Sequence, residues 1–85
     1  MFYFYVLQSL KDKKLYLGYT KDLHRRFSEH NKGIEASTKK RKPFKLVYYE
    51  AYDSEKDARN RETQIKHRAK AHSGLKQRIK NSLLE

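Results

Sequence analysis

Glu62 occupies a position where a carboxylate is expensive. In the stretch that follows Ser54, Ala58, Ile65 and Ala69 recur at i, i+7 and i+11, the stripe of an amphipathic helix. Glu62 is at i+4 of that series, and at ~100° per residue it points within ~40° of the stripe centre. An inward carboxylate needs a partner. Two arrangements supply one: an edge position with a salt bridge to an arginine such as Arg61 or Arg26, or a bound metal ion. Arg26 and His30 form a second constellation. They are four residues apart, hence on one helical face, beside Leu23 and Phe27. Arg25 points ~100° away and reads as solvated. Taken alone, His30 reads as a partly buried structural histidine. The tyrosines come third. Tyr3 and Tyr5 share one face of a strand, and Tyr16 and Tyr19 flank Gly18 in the next. Strand tyrosines are usually packing residues with a wet hydroxyl. A glycine inside a strand marks a bulge or the close approach of another backbone or a ligand.

Other chemistries are excluded. The chain has no Cys, which removes disulfides, thiol catalysis and cysteine zinc sites. The pairs His24/His30 and His67/His72 lack the i, i+4 zinc spacing. There is no Gly-rich phosphate loop, and no Ser-His-Asp arrangement that spacing supports. Asp22, Glu55 and Asp57 stand at helix starts, where capping explains them, so no second acid accompanies Glu62 for a two-metal site.

The charge points to a polyanion. The 85 residues carry 21 Lys+Arg against 10 Asp+Glu, a net +11. Nucleic acid is the simplest partner for such an excess. Two basic stretches stand out: Lys39-Lys40-Arg41-Lys42, and a longer one through Lys66, Arg68, Lys70, Lys76, Arg78 and Lys80. Phosphate contacts from them would be salt dependent and mostly blind to sequence. No apolar run approaches the ~20 residues of a membrane span, so no membrane partner is expected and the cytoplasm is the default compartment.

The elements that must position these residues read as one domain over residues 1–85, without repeat or linker. Phe2 to Gln8 is an aromatic and branched run, expected to be a buried strand. Ser9–Lys14 makes a hairpin loop, and Leu15–Thr20 a second, antiparallel strand. Asp22 caps a helix that ends at Asn31-Lys32-Gly33. A basic loop over 34–43 leads to a third strand, Phe44–Tyr52, in which Phe44, Leu46 and Tyr48 alternate with Lys45, Val47 and Tyr49. Ser54 and Asp57 resemble a capping box for a helix running to about Ala71. Ser73-Gly74 is expected to break it, with Leu75, Ile79 and Leu83 marking a last helix. The order is β-β-α-β-α-α. The class is α+β: a three-stranded antiparallel sheet flanked by three helices.

Five stretches together resemble the GIY-YIG endonuclease superfamily: Tyr3-Phe4-Tyr5-Val6-Leu7, Leu15-Tyr16-Leu17-Gly18-Tyr19-Thr20, Asp22 to Arg26 with His30-Asn31, Leu46 to Glu50, and Glu62 to Lys66. The similarity covers nearly the whole chain. It is closest to small stand-alone bacterial proteins similar to the nuclease domain of an excinuclease, which implies a role in DNA repair. By position, Tyr5 and Tyr16 match the tyrosines of the two motifs and Gly18 the glycine of the second. Arg26 and His30 match the helix-one pair, and Glu62 the metal-binding glutamate. The resemblance implies a nuclease that cuts phosphodiester bonds with one Mg²⁺ or Mn²⁺ on Glu62. Arg26 would meet the scissile phosphate, and Tyr5 or Tyr16 would activate water with His30 as proton acceptor or orienter. Gly18, Lys39, Lys40, Arg41, Lys42, Lys66 and Arg68 are the expected nucleic-acid contacts, DNA ahead of RNA, with a protein partner as a source of specificity. A weakly active or non-catalytic nucleic-acid-binding module of the same fold explains the charge equally well. An adaptor for an acidic protein is a third reading.

Overall fold

The N-terminal aromatic run becomes the middle strand of the sheet. A computed structural model describes residues 1–84 and gives β1 (Phe2–Ser9), β2 (Leu15–Thr20), α1 (Leu23–Lys32), β3 (Phe44–Tyr52), α2 (Glu55–His67) and α3 (Ala69–Arg78). The strands are antiparallel in the order β2-β1-β3. Strand side chains alternate between faces, so the unbroken apolarity of β1 requires a sheet covered on both sides. Phe4 and Val6 enter a core with Leu17, Ile65, Leu75 and Ile79, beneath α2 and α3. Tyr5 and Leu7 enter another with Phe44, backed by Leu23 and Phe27 of α1. The expected α+β architecture and element order are those observed.

α1 is bounded as its sequence implies. The Asp22 carboxylate accepts from the Arg25 N–H at 3.1 Å, and Gly33 closes the helix at φ 76°, in the left-handed region.

Four local expectations are corrected. Strict alternation in β3 fails because Val6 pairs with Tyr48 but Leu7 with Leu46, leaving Val47 as an extra residue. Phe44 and Leu46 therefore face the α1 side, whereas Val47, Tyr48 and Tyr52 pack on the α2–α3 side. The chain turns at Arg68 (φ −124°, ψ 112°) rather than at Ser73-Gly74. Gly74 lies inside α3 with open space around its Cα, so nothing there demands a break. The turn at Arg68 lets Ile65 and Leu75 reach the same core, and it leaves Ala69 exposed instead of in the stripe. The Ser54 side chain makes no cap hydrogen bond, so the capping box is not formed.

Candidate active site

β1 and β2 set the centre of the site through one pairing, Tyr5 opposite Gly18. A Cβ at Gly18 would overlap the Tyr5 hydroxyl and Cζ, and would lie 2.8 Å from Cε1. The glycine is not a bulge: the pairing runs regularly through it. It is the gap through which the Tyr5 phenol crosses β2. Gly18 is itself buried beneath that ring.

The crossing ring meets α1. Tyr5 Oη is 2.9 Å from His30 Nε2, and His30 is fully buried. Tyr16 comes from β2 to the same place, its ring centroid 4.8 Å from that of His30 and 6.4 Å from that of Tyr5. The other imidazole nitrogen, Nδ1, is 2.8 Å from Thr38 Oγ1. The Thr38 hydroxyl donates to the Glu35 carbonyl at 3.4 Å, so it is placed to accept from Nδ1–H. The network thereby assigns the lone pair to Nε2, which accepts from the Tyr5 O–H. Burial lowers the His30 pKa, and the nearby Arg26 charge lowers it further. Both favour the neutral ring.

Arg26 lies one turn of α1 before His30. Its guanidinium pairs with Glu35 at 2.7 Å and Glu29 at 3.3 Å, and its side chain is 28% exposed. Burial opposes its charge, but the hydrogen bond to Glu35 and the nearby Tyr5 hydroxyl outweigh burial and raise its pKa. Burial pushes the Tyr5 phenol up to about 12, partly offset by the adjacent Arg26 guanidinium. The charge of Glu62 on α2 makes the smallest contribution to the same upward shift.

Glu62 is half-buried on α2, its side chain 22% exposed. Neither expected arginine is its partner. Arg61 binds Glu50 and Arg26 binds Glu29 and Glu35, while Glu62 Oε2 is 2.9 Å from Lys66 Nζ. Among the described residues no group of three or more His, Cys, Asp or Glu side chains converges on a common point. One hard carboxylate suits a small divalent cation that keeps several waters and takes its remaining oxygens from substrate phosphate. Glu62 fits that donor set, because the Lys66 ammonium is 42% exposed and can withdraw into water.

The basic residues named from sequence divide. Lys39, Lys40, Lys42 and Arg68 are exposed. Arg41 is taken up internally, paired with Asp12 at 2.9 Å and lying over the Phe44 ring. Lys66 is held by Glu62. Sequence reasoning missed Thr38 and Glu35. They lie in an irregular loop, where no periodicity marks a buried threonine or a carboxylate that holds Arg26.

Comparisons with known proteins show the family. Residues 1–80 match the family model described as the GIY-YIG catalytic domain. A UPF0213 protein of Pediococcus pentosaceus is 46% identical over 71 residues, spanning 82% of this chain and 74% of that one. One from Staphylococcus saprophyticus is 45% identical over 65 residues, spanning 75% and 78%. The solution structure of a UPF0213 protein from Bacillus halodurans superposes with a TM-score of 0.56 at 36% identity, covering 93% of this chain and 87% of that one. With the domain model spanning nearly its whole length, the chain belongs to the GIY-YIG nuclease family.

Proposed function

We propose that the protein is a cytoplasmic endonuclease that hydrolyses phosphodiester bonds in nucleic acid, DNA ahead of RNA, with one Mg²⁺ or Mn²⁺ held by Glu62. The observation that carries this reading is the chain Tyr5–His30–Thr38, with Arg26 beside the phenol. Bound at Glu62, the metal ion would supply Lewis-acid polarisation of the scissile phosphate.

The remaining chemistry falls to side chains. With its pKa near 12, Tyr5 would cost about 7 kcal/mol to ionise beforehand at pH 7. It therefore acts as a relay. The phenol oxygen accepts a proton from the attacking water while its own proton passes to His30 Nε2. Hydroxide forms the new bond to phosphorus as the bond to the leaving oxygen breaks. That oxygen departs as an alkoxide and is protonated by solvent, and imidazolium remains to return its proton through Tyr5. This favours Tyr5 over Tyr16 as the proton acceptor. Arg26, oriented by Glu29 and Glu35, offers its remaining N–H donors to the phosphate oxygens as charge builds. Such a contribution is worth ~3–4 kcal/mol. Tyr16 packs against the imidazole and limits its rotation.

The test is a cleavage screen over plasmid, nicked, branched and single-stranded DNA and RNA, with Mg²⁺, Mn²⁺ or EDTA. Metal-dependent products that disappear in Glu62→Gln support the enzyme. Salt-sensitive retention on nucleic acid with every substrate uncut would leave only a binding module.

A further inference from the structure

Basic side chains from two segments far apart in sequence converge on one cavity. Lys13 and Lys14 from the β1–β2 hairpin, with His72 and Lys76 from α3, line a cavity of 410 Å³ floored by Leu15 and Leu83. His72 and Lys76 stand at i, i+4 on one face of α3. No Asp or Glu is among the described residues of the lining. The walls are tied together by buried Gln8. Its Nε2 donates to the Lys13 carbonyl at 2.9 Å and to the Leu84 carbonyl at 3.1 Å, and its Oε1 accepts from the Leu84 N–H at 2.7 Å. Hairpin, middle strand and C-terminal segment are thereby held around the cavity.

Its place relative to Tyr5 follows from the sheet. Gln8 is three residues beyond Tyr5 on β1, and Leu15 immediately precedes Tyr16 on β2. At ~3.3 Å per strand residue the cavity begins ~10 Å along the sheet from Tyr5, but on the α2–α3 face where Leu15 and Leu83 pack, while Tyr5 lies on the α1 face. A nucleic-acid strand touching both would pass over β2, the edge of the sheet. The contents of the lining match one nucleotide unit: ammonium groups for a phosphate, leucines for a sugar and base. Its volume lies in the ~300–1,000 Å³ range of small-ligand sites. A base pair cannot enter such a space, whereas an unpaired nucleotide can.

We propose that this cavity holds one nucleotide of an unpaired strand next to the cleaved bond, its phosphate on Lys14 and Lys76. The substrate is then a nucleic acid with a single-stranded or frayed segment beside the cut. The proposal rests on the nuclease reading above, but its test does not need turnover.

Binding is measured by fluorescence anisotropy in EDTA across a salt series, with a blunt DNA duplex and the same duplex carrying a single-stranded tail. Lys14→Glu/Lys76→Glu is compared with Lys32→Glu/Lys56→Glu, which carries the same charge change on exposed residues outside the cavity. Circular dichroism confirms the fold of each. The wild type is expected to prefer the tailed duplex. The cavity variant should lose that preference, with a salt slope smaller by at least ~0.7, one single-strand phosphate contact. The control variant should keep the preference. Equal binding of both duplexes by wild type, or equal losses in the two variants, overturns the proposal. So does adenosine monophosphate competing as strongly as the tailed DNA, which would make the cavity a free-nucleotide site. Tail preference without cleavage in metal would remove the nuclease reading and leave the cavity standing. Cleavage without tail preference would do the reverse.

Discussion

Two clusters in this small protein are built from tyrosine, arginine and glutamate, and they do opposite things. On the α2–α3 side of the sheet, the Glu50 carboxylate accepts from the Tyr48 hydroxyl at 2.6 Å, from the Tyr52 hydroxyl, and from Arg61 Nε at 2.9 Å. Burial works to raise the Glu50 pKa, but hydrogen bonds from Tyr48, Tyr52 and Arg61 hold it below the usual carboxylate range. Tyr52 is pushed up to about 12 by burial and by that carboxylate. The phenol protons point at a central anion and stay there. On the α1 side the carboxylates stand at the edge, on Arg26, and the phenol points at a neutral imidazole with a free lone pair. A proton leaving Tyr5 has somewhere to go, whereas one leaving Tyr52 does not. Placement of the acid, rather than residue type, separates a structural clamp from the proposed reactive site.

The widest separation between the clusters should come from charge deletion. Glu62→Gln and Arg26→Ala are expected to lower metal-dependent cleavage by at least ~100-fold, the loss typical of removing a transition-state contact. Salt-dependent DNA binding and the melting temperature should change little. Glu50→Gln should do the reverse. Hydrogen bonds to a charged group are worth ~1.5–3 kcal/mol, so denaturant unfolding should show a loss of that size with cleavage retained. The pH dependence sharpens the contrast. Glu50 has a depressed pKa in the folded state, so its contribution is complete above the ordinary carboxylate pKa and lost as the pH falls through the depressed one. Acid unfolding of Glu50→Gln should therefore be less steep than that of wild type. An unchanged acid profile would remove Glu50 as the clamp.

Much of this was legible in the sequence because its signals are local. The aromatic run of β1, the Asp22 cap, the Gly33 stop and the face shared by Arg26 and His30 depend on neighbours a few residues apart. Non-local facts were not legible. The extra residue at Val47 puts Tyr48, Glu50 and Tyr52 on the opposite face from Phe44 and Leu46, and it exists only because β1 pairs across it. Glu62 was recognisable as an inward acid, and its partner Lys66 is a local i, i+4 neighbour; what was not legible is that Arg61 and Arg26 are already held, by Glu50 and by Glu29 and Glu35. Gly18 announced a close approach, and only the register shows that a phenol makes it.

A smaller effect tests that register. Gly18→Ala places a methyl group where the Tyr5 phenol crosses. Relieving such an overlap costs ~1–3 kcal/mol. The expected outcome is a lower melting temperature together with loss of the Tyr5–His30 hydrogen bond, seen as a shift of the His30 ring resonances. Unchanged resonances would show that the phenol does not need the gap. The clamp around Glu50, on the opposite side of β1, should be undisturbed.

The smallest effect lies deepest in the active cluster. Thr38 is buried, and its hydroxyl is the partner of His30 Nδ1. Thr38→Val keeps the shape and removes the acceptor. A neutral imidazole then gains nothing from keeping its proton on Nδ1, and the tautomer with Nε2 protonated becomes competitive. That tautomer cannot accept from Tyr5, so the relay is blocked in the fraction of molecules that hold it. The loss of one neutral hydrogen bond is worth ~1 kcal/mol, which is about a fivefold drop in turnover with KM unchanged. Nitrogen-15 shifts of the ring should move from one tautomer towards a mixture, a change that mere loosening of the loop would not produce. Thr38→Ser restores the hydroxyl and should restore both readouts. If serine rescues stability but leaves turnover low and the ring shifts mixed, Thr38 is packing and the proton route through His30 is wrong.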